Sequence, residues 1–238
     1  MRRRGFVAAA GLAAMSPPLR AATSPLRLQP VAPGIWFVEG EAALGSPANR
    51  NFISNAGVVV TRAGVIVIDA LGSPALAEEL IGAIRGVTRQ PLRWVIVTHY
   101  HADHIYGLQA FKARGAQVIA HVGGREYIAS DAAERRLEAS RAELAPWVNA
   151  KTRLVPADRW IDSDTPLVLG GERLQLRHVG PAHTSEDLAV FVERSRVLFC
   201  GDLVFRGRVP FVGTADSSAW IASLDRLAAD RPAILVPL

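Results

Sequence analysis

One cysteine in 238 residues rules out a disulfide within the chain. Cys200 sits in the apolar run Val197-Leu198-Phe199-Cys200, which reads as a buried, inert thiol rather than a metal ligand. Lysine is nearly missing too: Lys112 and Lys151 are the only two. The basic charge is therefore carried by arginine, and it forms no dense run interleaved with aromatics, which argues against a nucleic-acid partner. No apolar run reaches the roughly 18 residues that a membrane-spanning helix needs. Low-complexity tracts are absent and 50% of the residues are hydrophobic, so disorder is excluded and a sizeable core is available.

What is present begins with a leader. Met1-Arg2-Arg3-Arg4 is a basic start, Phe6 to Met15 a short apolar run, and Leu19-Arg20-Ala21-Ala22 the end of a cleavable segment. Arg3-Arg4-Gly5-Phe6-Val7 also resembles the twin-arginine pattern. Residues 1–22 are thus expected to be an export signal, and 23–238 a mature domain that is periplasmic or secreted, with no stable membrane insertion. The four arginines of residues 1–21 account for most of the net charge; without them +5 falls to +1. A small-molecule substrate is the expected partner.

Along the mature chain, Leu26 to Gln29 and Gly34 to Glu39 read as short strands. Val58 to Thr61 and Val65 to Ile68 read as a β-branched hairpin ending on Asp69. Ser73 is placed to cap a helix whose first residue is Pro74 and whose apolar stripe is Leu76, Leu80, Ile81 and Ile84. Trp94-Val95-Ile96-Val97 predicts a strand covered on both faces. A helix over Ile105 to Ala113, a strand over Gln117 to Ala120 and a largely helical stretch over 122–147 follow. Further strands are expected at Pro166–Leu169, Leu174–Val179, Leu188–Val192, Val197–Phe199 and Ala233–Val236, with an amphipathic helix over Ser217 to Asp230. The order predicts mixed sheets faced by helices, an α+β or α/β class.

Three of the six histidines fall within six positions, as Thr98-His99-Tyr100-His101-Ala102-Asp103-His104. The cluster follows a buried strand directly, and α/β sheets place their ligands at such strand ends. His99 and His101 lie two apart, so on an extended chain both imidazoles point the same way. Asp103 and His104 enter the next turn and can serve a second position. Imidazole nitrogen with carboxylate oxygen suits zinc, iron or manganese. Two ions about 3.5–4 Å apart would fit two ligand sets on one short loop. His121 and His178 read as structural or surface residues, with His178 close enough to His183 to support it.

The motif His99-Tyr100-His101-Ala102-Asp103-His104 resembles the signature of the metallo-β-lactamase superfamily. The resemblance runs from about residue 30 onward. Gly180-Pro181-Ala182-His183-Thr184 resembles that family's third-histidine loop, Leu198-Phe199-Cys200-Gly201-Asp202 its strand ending on a bridging aspartate, and Val65-Ile66-Val67-Ile68-Asp69 its early strand. The resemblance implies a four-layer αβ/βα sandwich with the site along one sheet edge. It implies His99, His101 and His183 on a first metal, Asp103 and His104 on a second, and Asp202 between the two. Asp103 also takes the catalytic role, and Asp69 supports the metal loop without touching metal.

Departures sharpen the expectation. The family usually follows its last strand with Pro-Gly-His-Gly, whereas Val236-Pro237-Leu238 stands here, so the sequence reads as truncated and the second metal as short of one ligand. Asp202 rather than cysteine resembles the glyoxalase-II-like branch, within it the quinoprotein-associated type. Phe205 stands where true β-lactamases carry lysine, with Arg206 and Arg208 as substitutes. A packed Tyr106 replaces a frequent glycine. The leading expectation is a zinc hydrolase of an ester, thioester, amide or β-lactam carbonyl. The runner-up is a persulfide dioxygenase-like oxidoreductase with one iron on His99, His183 and Asp202. A third is a metal-binding fold without catalysis.

Overall fold

A computed structural model describes residues 26–213 and 215–238. The leader over 1–22 lies outside these residues. Two sheets pack face to face. The first has β1 (Gln29–Ala32), β2 (Ile35–Val38), β3 (Ala56–Val60), β4 (Val65–Ile68), β5 (Leu92–Ile96), β6 (Gln117–His121) and β7 (Arg159–Ile161), side by side in chain order. Its first four strands pair antiparallel and β4 to β7 pair parallel. The second sheet comprises β8 (Thr165–Leu169), β9 (Glu172–His178), β10 (Leu188–Val192), β11 (Val197–Phe199) and β12 (Ile234–Val236). Its spatial order is β12-β11-β10-β9-β8.

Parallel neighbours need a crossover, and helices supply it. α1 (Pro74–Val87) links β4 to β5; α2 (Ala102–Ile105) and α3 (Leu108–Lys112) link β5 to β6; α4 (Gly123–Ile128) and α5 (Asp131–Glu143) link β6 to β7. In the second sheet α6 (Ser217–Ala229) connects β11 to the parallel β12. The period-two alternation of β4 explains the layering. Val65 and Val67 face the core under α1, with Leu76, Leu80, Ile81 and Ile84. Ile66 and Ile68 face the second sheet, meeting Leu176, Val190 and Phe199. A third core lies between that sheet and α6, around Leu198, Phe191, Trp220 and Leu227. The result is the helix–sheet–sheet–helix sandwich, four layers and three cores. Each fully buried aliphatic side chain contributes about 1.5–3 kcal/mol.

Several elements fall where the sequence puts them. The Ser73 hydroxyl accepts from the Leu76 N–H, and Pro74 opens α1. β4, β10 and β11 match residue for residue. Others shift. The first strand pairs at Gln29–Ala32 rather than 26–29, because Leu26 is buried against the helix-side core without joining the ladder. The helix expected over 105–113 breaks at Tyr106-Gly107 into α2 and α3. A Cβ at Gly107 would lie 1.9 Å from the Ala70 carbonyl oxygen, so only glycine lets the chain pass there. Tyr106 packs, its hydroxyl 3.2 Å from Ser140 Oγ. Residues 122–147 form two helices, the second capped by Ser130. β7 has no counterpart in the sequence reading.

Candidate metal centre

The centre sits along the sheet edge where β4, β5, β9 and β11 end. Its foundation is Asp69, which follows β4 with φ 62, a left-handed conformation that aspartate tolerates better than most residues. The carboxylate is fully buried. One oxygen accepts the Thr98 N–H (2.8 Å); the other accepts the Thr98 hydroxyl (2.7 Å) and His104 Nδ1–H (2.9 Å). One side chain thus ties the end of β4 to the loop after β5 and aims an imidazole.

These bonds settle the protons. The Thr98 hydroxyl gives its hydrogen to Asp69, so it accepts from His99 Nδ1, 3.1 Å away. His99 Nε2 is left with a lone pair, buried and without a partner among the described residues. His104 likewise donates from Nδ1 and leaves Nε2 unpartnered, 3.4 Å from Asp202 Oδ1 and 3.5 Å from Asp103 Oδ2. His183 donates from Nδ1 to the Phe211 carbonyl (3.0 Å), and its Nε2 lies 3.0 Å from His101 Nδ1. The Asp202 Oδ1 is buried and unpartnered as well.

Two donor sets result. His99, His101 and His183 offer nitrogens that all lie within 4.8 Å of one another, and so do the donors of His99, His104 and Asp202. Asp103 stands at the edge of the second set, partly open to solvent, its main-chain oxygen accepting from the Ser54 hydroxyl at 2.6 Å. Inward-facing nitrogens and a carboxylate oxygen left without partners are costly in a buried site. A cation between them removes that cost, and three imidazoles in this arrangement suit zinc.

The electrostatics of the two sets differ. Burial, reinforced by the neighbouring imidazoles, holds His99 well below the usual histidine value. Burial likewise lowers His101 and His183, against the opposing pull of nearby carboxylates. At His104 burial also lowers the value, but Asp103, Asp202 and Asp69 outweigh it and raise the group well above its ordinary range. The first set is therefore a neutral nitrogen cup, and the second a negatively charged pocket that attracts a positive charge.

The second sheet delivers its ligands on braced loops. His183 lies between β9 and β10, where the Thr184 N–H and hydroxyl both donate to Asp187 (2.7 and 2.6 Å). Burial pushes the Asp187 carboxyl up to about 7. Asp202 follows β11 in a short 3₁₀ turn that starts at Gly201, whose φ of +55 and close approach to Thr98 favour glycine. Cys200, just before it, is buried, and burial pushes its thiol up to about 12, consistent with an inert side chain.

Sequence reasoning did not reach the Phe211 carbonyl, the Ser54 hydroxyl or Asp187. The first is a main-chain atom and carries no residue signal. Ser54 has no motif around it. Asp187, four residues beyond His183, belongs to no motif in the sequence. His183 also lies among aromatic rings, 5.6 Å from Trp220 and 6.4 Å from both Phe205 and Phe211 by centroid.

Comparison with known proteins agrees with this geometry. The family model described as the metallo-beta-lactamase superfamily matches residues 49–237. A linear primary-alkylsulfatase of a Pseudomonas species is 25% identical over 210 residues, 74% of this chain and 39% of that protein. An acyl-coenzyme A thioesterase of Gallus gallus is 29% identical over 200 residues, 81% of this chain and 65% of its own. The chain thus spans less than two thirds of either relative. Among solved structures, a metallo-beta-lactamase from Pontibacter korlensis superposes with a TM-score of 0.67. It is 23% identical, with 89% of this chain and 90% of that one covered.

Proposed function

The chain belongs to the metallo-beta-lactamase superfamily, and from that premise we propose that it is a zinc hydrolase of ester, thioester or amide carbonyls, exported by its basic leader. One observation carries the reading: three imidazole nitrogens converge from two sheets, and two of the rings, His99 and His183, already engage their outer nitrogens as donors. That protonation pattern is the one zinc requires, a lone pair inside and a proton outside. Bound zinc supplies a Lewis acid and a water that ionises near neutral pH.

The chain's own residues do the rest. His99, His101 and His183 would hold the first ion; His104, Asp202 and Asp103 would hold a second. Asp202, facing both His104 and His183, stands between the sets. Asp103, partly exposed, is the group placed to accept and pass the proton of the attacking water. Rings of Phe205, Phe211 and Trp220 give the His183 side an apolar border. Arg206 and Arg208 on the rim would hold an anionic group of the substrate; Arg208 already reaches the Ile53 carbonyl at 3.1 Å. The named activities of the relatives, sulfatase and thioesterase, support hydrolysis as the reaction class and leave the acyl partner to experiment.

The test is metal analysis of purified protein followed by chromogenic esters, thioesters and a cephalosporin. Zinc with turnover on any of these supports the proposal. Iron with oxygen consumption on a persulfide overturns it in favour of the dioxygenase reading.

A further inference from the structure

The two histidines that the metal centre leaves over meet each other. His121 closes β6 in the first sheet, and His178 closes β9 in the second. Their rings stack, centroids 3.8 Å apart and planes 10° apart. His121 Nδ1 accepts the Gly123 N–H at 3.2 Å, so the proton of the neutral ring is on Nε2, which is buried on the side of the Asp162 carbonyl. His178 Nε2 lies 3.1 Å from the Ser185 carbonyl and donates to it. The pair is not a chelate: the lone pair of His121 is engaged, and flat-stacked rings do not aim two nitrogens at one ion.

Ser185 lies two residues beyond His183. We propose that His121 and His178 are positioning residues for His183, resting on the metal-centre reading above. The stack holds the His178 ring, the ring holds the Ser185 carbonyl, and the loop over 180–187 gains a second point of fixation beside the Asp187–Thr184 bonds.

The device works only while neutral. A second proton on His121 would face the Gly123 N–H, and two charged rings at this separation repel. The charged groups around the pair are Glu186 on the same loop, Asp162 beyond β7, and Asp164 before β8, which accepts the His178 N–H at 2.9 Å. Burial and then His178 keep His121 below the ordinary 6.5, despite the Asp162 carbonyl, Glu186 and Asp162. The neutral ring belongs to the folded form. Its contribution is therefore present above pH 6.5 and is lost as the pH falls below it.

Zinc affinity, measured by competition with a chromophoric chelator, tests this together with melting of the metal-free protein. At pH 7.5 His178→Phe keeps an aromatic stack but loses the donor, and it should bind zinc roughly three- to tenfold more weakly. His178→Gln keeps a donor and should recover most of that loss. His121→Phe should flatten the fall in affinity between pH 7 and 5.5. The proposal is overturned by wild-type affinity in His178→Phe, by no recovery in His178→Gln, or by an unchanged pH slope in His121→Phe. A lower melting temperature shared equally by both His178 variants, with equal affinities, assigns the residue to bulk stability and also overturns it. Wild-type protein that binds no zinc overturns the metal centre instead.

Discussion

Two loops border the metal centre and are held in opposite ways. The loop over 98–104 is fixed by side chains: the Asp69 carboxylate takes three hydrogen bonds from it, and its His99 and His104 are almost wholly buried. The loop over 205–213 is fixed by main-chain acceptors, Ile53 for Arg208 and its own Phe211 carbonyl for His183. Val209 is 88% exposed and Phe211 68%. The first loop carries preorganised ligands. The second carries an apolar, arginine-bearing rim whose side chains are free to meet something else.

The difference can be broken or sharpened by experiment. The largest effect is expected from His101→Ala, which opens the nitrogen cup. Turnover should fall by about 10³-fold or more, and zinc affinity should fall with it. Unchanged turnover would remove His101 from the ligand set. Next comes Asp69→Asn. It leaves His104 or Thr98 facing a buried amide donor, and should lower stability by about 1–3 kcal/mol by thermal melt. Zinc affinity should weaken about 10–100-fold.

The two donor sets should separate by proton release. Imidazoles held below 6.5 are already neutral at pH 7 and have no proton to lose, whereas His104, held above it, has one. Calorimetry of zinc uptake in buffers of different ionisation enthalpy should show little release for the first equivalent and about one more proton for the second. Equal release in both steps would erase the distinction. In the metal-free protein the lowered histidines stabilise only in their neutral form. Their contribution is therefore full above 6.5 and falls away as pH drops below it, whereas that of His104 is full below 6.5 and is lost as pH rises through its raised value.

The smallest effect is expected from Phe211→Ala, which keeps the carbonyl and removes only the ring. KM should rise by about two- to tenfold with zinc affinity unchanged. A fall in zinc affinity as large as that of Asp69→Asn would show that the rim loop, too, is a ligand support.

The same contrast explains what the sequence made legible. The loop over 98–104 was visible because its work is done by residue types at fixed spacing after a run of buried β-branched residues. α1 was visible because a serine cap, a first-position proline and an i, i+3, i+4 stripe agree. β7 was not, since Arg159-Trp160-Ile161 is three residues long and has no alternation to read. The break between α2 and α3 depends on the Ala70 carbonyl, in the loop after β4, crossing at Gly107, a contact between segments far apart in sequence. The support of His183 by Phe211 went unread because any residue carries a carbonyl. The pairing of His121 with His178 required knowing that β6 and β9 end side by side.

The donors come from both sheets: His99, His101 and His104 follow β5, whereas His183 and Asp202 follow β9 and β11. Each donor set takes one member from the second sheet, so an ion held by either set would be a cross-sheet staple bound fully only in the docked state. By mass action a ligand at a thousand times its dissociation constant adds about 4 kcal/mol to the folded state. Free zinc should therefore tune not only turnover but the lifetime of the contact between the two sheets, and a chelator should loosen that contact before it disturbs either sheet.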